Sequence, residues 1–134
     1  MEFRSNPTKL KDSPCGGTIL DEETILTAAH CFDYGYVKVQ VAAGFTDYRT
    51  NPPKLKVRRV EIHPEYNKTN NRNDIAILKL ILPLILTDDV QPACLPDASF
   101  TPENSGQMSF LSGWGLPKHG LLIVMHFSLC ISDH

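Results

Sequence analysis

The chain carries no excess of positive charge: 13 basic side chains stand against 15 acidic ones, a formal charge of −2 at neutral pH. That balance offers no electrostatic footprint for a nucleic acid or an anionic membrane surface, so neither is expected as a partner. Long apolar runs are missing too. The longest, Leu121 to Ile131, is interrupted by His126 and Ser128 and falls far short of the roughly 20 residues of a spanning helix. Residues Met1 to Pro7 lack the apolar centre of a secretory signal. Cysteines occur at 15, 31, 94 and 130, but none forms a C-x-x-C pair, and their spacings to histidine match no common zinc pattern. No metal or cofactor is therefore expected. Helical periodicity and internal repeats are absent, which argues against a helical bundle or a solenoid.

What remains is a β pattern. The 134 residues suit one modest domain or part of a larger one, and 42% apolar content is enough for a core. Thr18-Ile19-Leu20 and Thr24-Ile25-Leu26-Thr27, separated by Asp21-Glu22-Glu23, read as a hairpin rich in β-branched residues. Ala28-Ala29-His30-Cys31 can close as a single helical turn. Val37 to Val41 alternates apolar and polar residues strictly, so its valines should face a core. Lys56 to His63 reads as a strand stopped by Pro64, and residues 64–73 form a polar, asparagine-rich surface loop. Asn67-Lys68-Thr69 within that loop is a candidate N-glycosylation sequon. Ile75 to Leu80 reads as a largely buried strand. Prolines 92 and 96 mark Val90 to Pro96 as an extended surface crossing, and Met108 to Trp114 gives one more strand. About six strands and short turns predict an all-β, antiparallel fold.

Two side chains carry potential chemistry. His30 beside Cys31 can be a structural histidine, and Asp74, at the head of an apolar strand, can simply cap a loop. As a pair they mean more. A sheltered carboxylate needs a donor, which an imidazole supplies. The carboxylate in turn fixes the tautomer and leaves the other ring nitrogen free as a base near pH 7. The cysteines are even in number, and two disulfides among them allow three connectivities.

Several ordered motifs extend this reading. Cys15-Gly16-Gly17-Thr18-Ile19-Leu20, Leu26-Thr27-Ala28-Ala29-His30-Cys31, Asn73-Asp74-Ile75-Ala76-Ile77-Leu78-Lys79-Leu80, Val90-Gln91-Pro92-Ala93-Cys94-Leu95-Pro96 and Gly113-Trp114-Gly115 follow one another in the chain. Their order and spacing over about residues 15–116 resemble the trypsin/chymotrypsin-like serine peptidases, family S1. The resemblance implies His30 as general base, Asp74 as its orienting carboxylate and a Cys15–Cys31 disulfide. It implies a secreted protein that cuts protein or peptide substrates by acyl transfer, on the first antiparallel barrel of a two-barrel fold. In multidomain members of the family the cysteine that Cys94 resembles tethers a propeptide or light chain, so Cys94 is a candidate interchain or unpaired cysteine.

The pattern departs from the family in three places. No Gly-Asp-Ser-Gly-Gly nucleophile motif occurs, and none of the serines at 5, 13, 99, 105, 109, 112, 128 and 132 has that context. Residues 1–14 read as an irregular lead-in without an Ile-Val-Gly-Gly-like start, and residues 117–134 form an atypical tail beyond a partial peptidase domain at 15–116. The expectation is a truncated form of a serine endopeptidase that keeps the histidine and aspartate but not the serine. The alternative is a non-catalytic module of the same family that binds protein.

Overall fold

The computed structural model describes residues 2–4, 13–33, 35, 38–47, 50 and 52–95. The strand expected over Met108 to Trp114 and the tail at 117–134 lie outside this range. Among these residues seven strands run in chain order: β1 (Glu2–Arg4), β2 (Ser13–Pro14), β3 (Thr18–Asp21), β4 (Thr24–Thr27), β5 (Lys38–Val41), β6 (Leu55–Ile62) and β7 (Ala76–Leu80). A short 3-10 turn, Ala29–Phe32, follows β4. The strands form one sheet in the order β2-β1-β5-β6-β7-β4-β3, and every neighbouring pair is antiparallel. The all-β, antiparallel expectation holds. The lead-in expected to be irregular contributes strands instead, and β1 pairs on both sides, with β2 and with β5.

Side-chain alternation explains which residues point inward. On β7, Ala76, Leu78 and Leu80 are buried, while Ile77 and Lys79 between them are partly covered. On β5, Val39 and Val41 join the core and Lys38 stays exposed. On β6 the period breaks. Its register shifts between Val57 and Arg59, so Arg58 and Arg59 are both exposed before Val60 turns back to the core. An extra residue in one strand does this, because it resets which face the following side chains meet.

β4 lies inside the sheet between β3 and β7, and it buries two threonines as well as Ile25. A buried hydroxyl must find a partner, and both do. Thr27 Oγ1 donates to the Gly16 carbonyl at 2.8 Å, and Thr24 Oγ1 accepts from Lys79 Nζ at 2.6 Å. β4 is thereby joined to the segment before β3 on one side and to β7 on the other. Gly44 meets a different constraint. Its φ is +73°, and a Cβ there would stand 2.9 Å from Val90 Cγ2, so the loop leaving β5 can press onto the Val90 segment only with glycine.

The Cys15–Cys31 disulfide is present, with its Cα atoms 6.4 Å apart. It ties the residues before β3 to the 3-10 turn. Cys94 is disulfide-bonded as well, and its partner lies outside the described residues. The expectation of an interchain or unpaired Cys94 is therefore corrected. The segment leading to it runs beside β3, where the Ala93 N–H donates to the Ile19 carbonyl at 2.8 Å. That backbone bond holds Cys94 at the sheet margin, where a thiol can be paired. Among the described residues no helix is long and apolar enough to cross a membrane.

Two stability measurements follow. Leu78 is completely buried, so Leu78→Ala should lower the unfolding free energy by about 2–5 kcal/mol, read from urea denaturation curves. The Cys15–Cys31 bridge spans a sequence separation of 16. Replacing both cysteines by serine should cost about 3 kcal/mol on the chain-entropy account, seen as a lower denaturation midpoint.

Candidate active site

The register of β4 against β7 decides where the site forms. Thr27 pairs with Ala76 at one end of this ladder. His30 lies three residues past Thr27, and Asp74 lies two residues before Ala76. Antiparallel pairing sends both off the same end of the sheet, although 44 residues separate them in sequence.

The turn that carries His30 is shaped by small and apolar side chains. Ala28 is extended, with φ −89° and ψ 143°, and the chain then tightens into the 3-10 turn. Ala29 is completely buried and Phe32 nearly so, which seats the turn on the core and leaves the His30 side chain 53% exposed. The Asp33 N–H donates back to the His30 carbonyl at 3.1 Å and the Gly35 N–H to the Phe32 carbonyl at 3.0 Å. Gly35, at φ +78°, ends the turn in the left-handed region.

Asp74 is aimed by the loop between β6 and β7. Asn71 and Asn73 sit at φ 54° and 56°, a region that asparagine tolerates better than most residues. The Asn73 side chain donates to the Glu65 carbonyl at 3.0 Å, and the His63 N–H donates to the Ile75 carbonyl at 3.0 Å, closing the base of the loop.

Both oxygens of the Asp74 carboxylate are spent on His30. Oδ1 accepts from the His30 backbone N–H at 2.8 Å, and Oδ2 accepts from Nδ1 at 2.7 Å. An ionised carboxylate can only accept, so Nδ1 carries a proton, and in the neutral ring Nε2 is the nitrogen that accepts. Partial burial pushes the Asp74 carboxyl up. The hydrogen bonds from the His30 ring and backbone outweigh it and hold the group below the ordinary 3.8. The result is a charged carboxylate that locks the tautomer of a ring whose outer edge is open to solvent. An imidazole in that state accepts a proton at Nε2, and its carboxylate stabilises the cation that forms.

A second layer holds the turn against the loop. Tyr66 Oη donates to Asp33 Oδ1 at 3.1 Å, and Lys68 Nζ donates to the Asp33 carbonyl at 2.7 Å. Desolvation, followed by the hydrogen bond to Asp33 and the nearby negative charges of Asp33 and Asp74, pushes the Tyr66 hydroxyl up to about 12. It therefore stays a donor at physiological pH. Reading the sequence missed Asp33, Tyr66 and Lys68. They lie in stretches with no periodicity, and only the tertiary approach of the loop to the turn gives them a role.

The remaining predicted residues fall apart from this centre or outside the described range. Asn67 is exposed in the β6–β7 loop, where it pairs with Arg72 as an isolated bridge and its Oδ1 accepts from the Thr69 N–H at 2.9 Å. Cys94 is exposed near the end of the described residues, and Gly113-Trp114-Gly115 lies beyond them.

Comparison with known proteins gives this geometry a family. The trypsin family model matches residues 3–126. Vitamin K-dependent protein C of Rattus norvegicus is 37% identical over 110 residues, covering 78% of this chain and 24% of that protein. A trypsin of Phaedon cochleariae is 36% identical over 104 residues, covering 75% of this chain and 40% of the relative. The solved structure of GrC superposes with a TM-score of 0.65 at 30% identity, over 75% of this chain and 43% of its own. The chain thus spans less than half the length of each of these proteins. With the histidine–aspartate pair at the end of the β4–β7 ladder and the family model matching nearly its whole length, the chain belongs to the trypsin-like serine peptidases, family S1.

Proposed function

We propose that this chain supplies the histidine–aspartate half of a serine endopeptidase that cleaves protein substrates by acyl transfer. The observation that carries the reading is the double hydrogen bond from His30 to Asp74, at 2.8 and 2.7 Å, which commits Nδ1 to the carboxylate and leaves Nε2 outside that bond on a half-exposed side chain. In such a peptidase Nε2 takes the proton of an attacking serine hydroxyl. It then returns that proton to the leaving amine, while Asp74 stays ionised. The serine and the backbone donors for the oxyanion belong to residues outside the motifs present in these 134, which contain no Gly-Asp-Ser-Gly-Gly. Residues 15–116 are the partial peptidase domain in this reading.

The Cys15–Cys31 disulfide supports an extracellular setting, since such bonds persist in oxidising compartments. An exposed Asn67 within its sequon fits the same setting and is proposed as a glycan acceptor. The alternative reading is a non-catalytic module of the same family that binds protein.

The two readings separate in one experiment. The protein carrying this segment, isolated from its source, is treated with a fluorophosphonate and assayed on peptide substrates. The endopeptidase reading expects labelling and turnover, with His30→Ala in the recombinant protein lowering kcat/KM by about 10⁴-fold or more. A folded protein that neither labels nor turns over while retaining a protein ligand supports the binding module.

Asp74 also predicts the pH response of stability. Its carboxyl is held below 3.8 in the folded chain, so the unfolded chain binds this proton more readily. The contribution is complete above the ordinary carboxyl range. It is lost as pH falls from about 4 through the lowered folded value. Asp74→Asn should flatten this acid limb in urea denaturation curves recorded between about pH 6 and pH 2.

A further inference from the structure

The side chains of Cys15, Cys31 and His30 converge on one point. One sulfur or ring-nitrogen atom from each lies within 4.8 Å of the other two. His30 Nε2 stands 3.9 Å from Cys31 Sγ. We propose that reduction of the Cys15–Cys31 disulfide turns this cluster into a zinc site, with Cys15 Sγ, Cys31 Sγ and His30 Nε2 as ligands and water as the fourth.

The distances suit a tetrahedral ion. Zinc–sulfur bonds of about 2.3 Å and a zinc–nitrogen bond of about 2.0–2.1 Å place sulfur and nitrogen on one ion about 3.6 Å apart. The observed 3.9 Å is already near that separation. Two thiolates on one zinc stand about 3.8 Å apart, and side-chain rotation alone reaches this from Cα atoms 6.4 Å apart.

The outer groups suit it as well. A zinc-binding imidazole commonly donates its other N–H to a carboxylate, which orients the ring and raises its basicity. Asp74 Oδ2 already accepts from Nδ1 at 2.7 Å, so the nitrogen left for the metal is Nε2, which stands beside Cys31 Sγ. His30 is exposed while the two cysteines are partly buried, which gives the ion a way in from solvent.

The redox step balances with a dithiol as reductant. The Cys15–Cys31 sulfur–sulfur bond breaks and its two sulfurs become thiols. The dithiol supplies two electrons and two protons and closes its own disulfide. Zinc then displaces both thiol protons to solvent, since only thiolates ligate it well. The metal occupies the lone pair of Nε2 that proton transfer needs, so the reduced, zinc-loaded chain is a state in which His30 is withdrawn from acid–base work. The site rests on its own geometry and stands whether the protein is a peptidase or a binding module.

The test uses the full chain with Cys94 and Cys130 replaced by serine, so that Cys15 and Cys31 are the only cysteines. It is reduced with a phosphine and titrated with Co²⁺, then back-titrated with Zn²⁺. The expected result is one ion per chain, a thiolate-to-cobalt charge-transfer band, and displacement of cobalt by zinc. His30→Ala should weaken cobalt binding at least tenfold. Asp74→Asn should weaken it by about 10- to 100-fold. The oxidised chain should bind at least 100-fold more weakly than the reduced one. The Asp74 variant separates a folded site from scavenging by an unfolded chain, where an aspartate 44 residues away has no influence on the metal. Binding that ignores both His30→Ala and Asp74→Asn overturns the proposal. So does binding equal in the oxidised chain, or a fold lost on reduction that zinc does not restore by amide-exchange protection.

Discussion

Everything at the candidate site depends on the pairing of β4 with β7. This ladder aligns Thr27 with Ala76 and thereby sets the start of the 3-10 turn beside the approach to Asp74. A slip of one residue would turn every side chain of β7 to the other face. It would bring Ile77 and Lys79 to the core in place of Leu78 and Leu80, and it would carry Asp74 away from the His30 ring. Packing and chemistry therefore rest on one constraint. The buried face of β7 holds the register, and the register holds the carboxylate.

The electrostatic arrangement grows from that placement. Asp74 is only partly sheltered, with 24% of its side chain exposed, so its charge costs less than full burial would demand. The two N–H donors of His30 meet both of its oxygens. Charge-assisted hydrogen bonds are stronger than neutral ones, and here they act between two loops that share no ladder of their own. Asp33 performs a related task one layer out, taking the Tyr66 hydroxyl on its side chain and the Lys68 ammonium on its backbone carbonyl. The loop that delivers Asp74 is thus joined to the turn that delivers His30 at two levels, once through the working pair and once behind it.

Much of the strand layout was legible in the residues. The β5 alternation, the β3–β4 hairpin and the buried β7 run are local patterns, and each appears where its pattern places it, within a residue or two. β6 shows the limit. Its bulge at Val57–Arg59 shifts the apolar period, and periodicity cannot show an inserted residue until the partner strand is known. β1 shows another, because three residues at the start of the chain carry no pattern and gain their role only by lying between β2 and β5. His30 and Asp74 were found through ordered motifs and not through physics, since a sequence separation of 44 says nothing of contact. Asp33, Tyr66 and Lys68 have neither motif nor period, and the closure of the β6–β7 loop alone reveals them.

Ala29 illustrates how such a site limits its own variation. It has no exposed surface, yet it precedes the residue that faces solvent most openly in the working pair. The space beneath the turn is already filled by the core, so a side chain much larger than a methyl group has nowhere to go. Tolerance to substitution and access to solvent thus run in opposite directions across a single peptide bond. The chemically busy histidine sits in open space, while its silent neighbour is confined to the smallest side chains, and the permitted alphabet at Ala29 is set by volume alone.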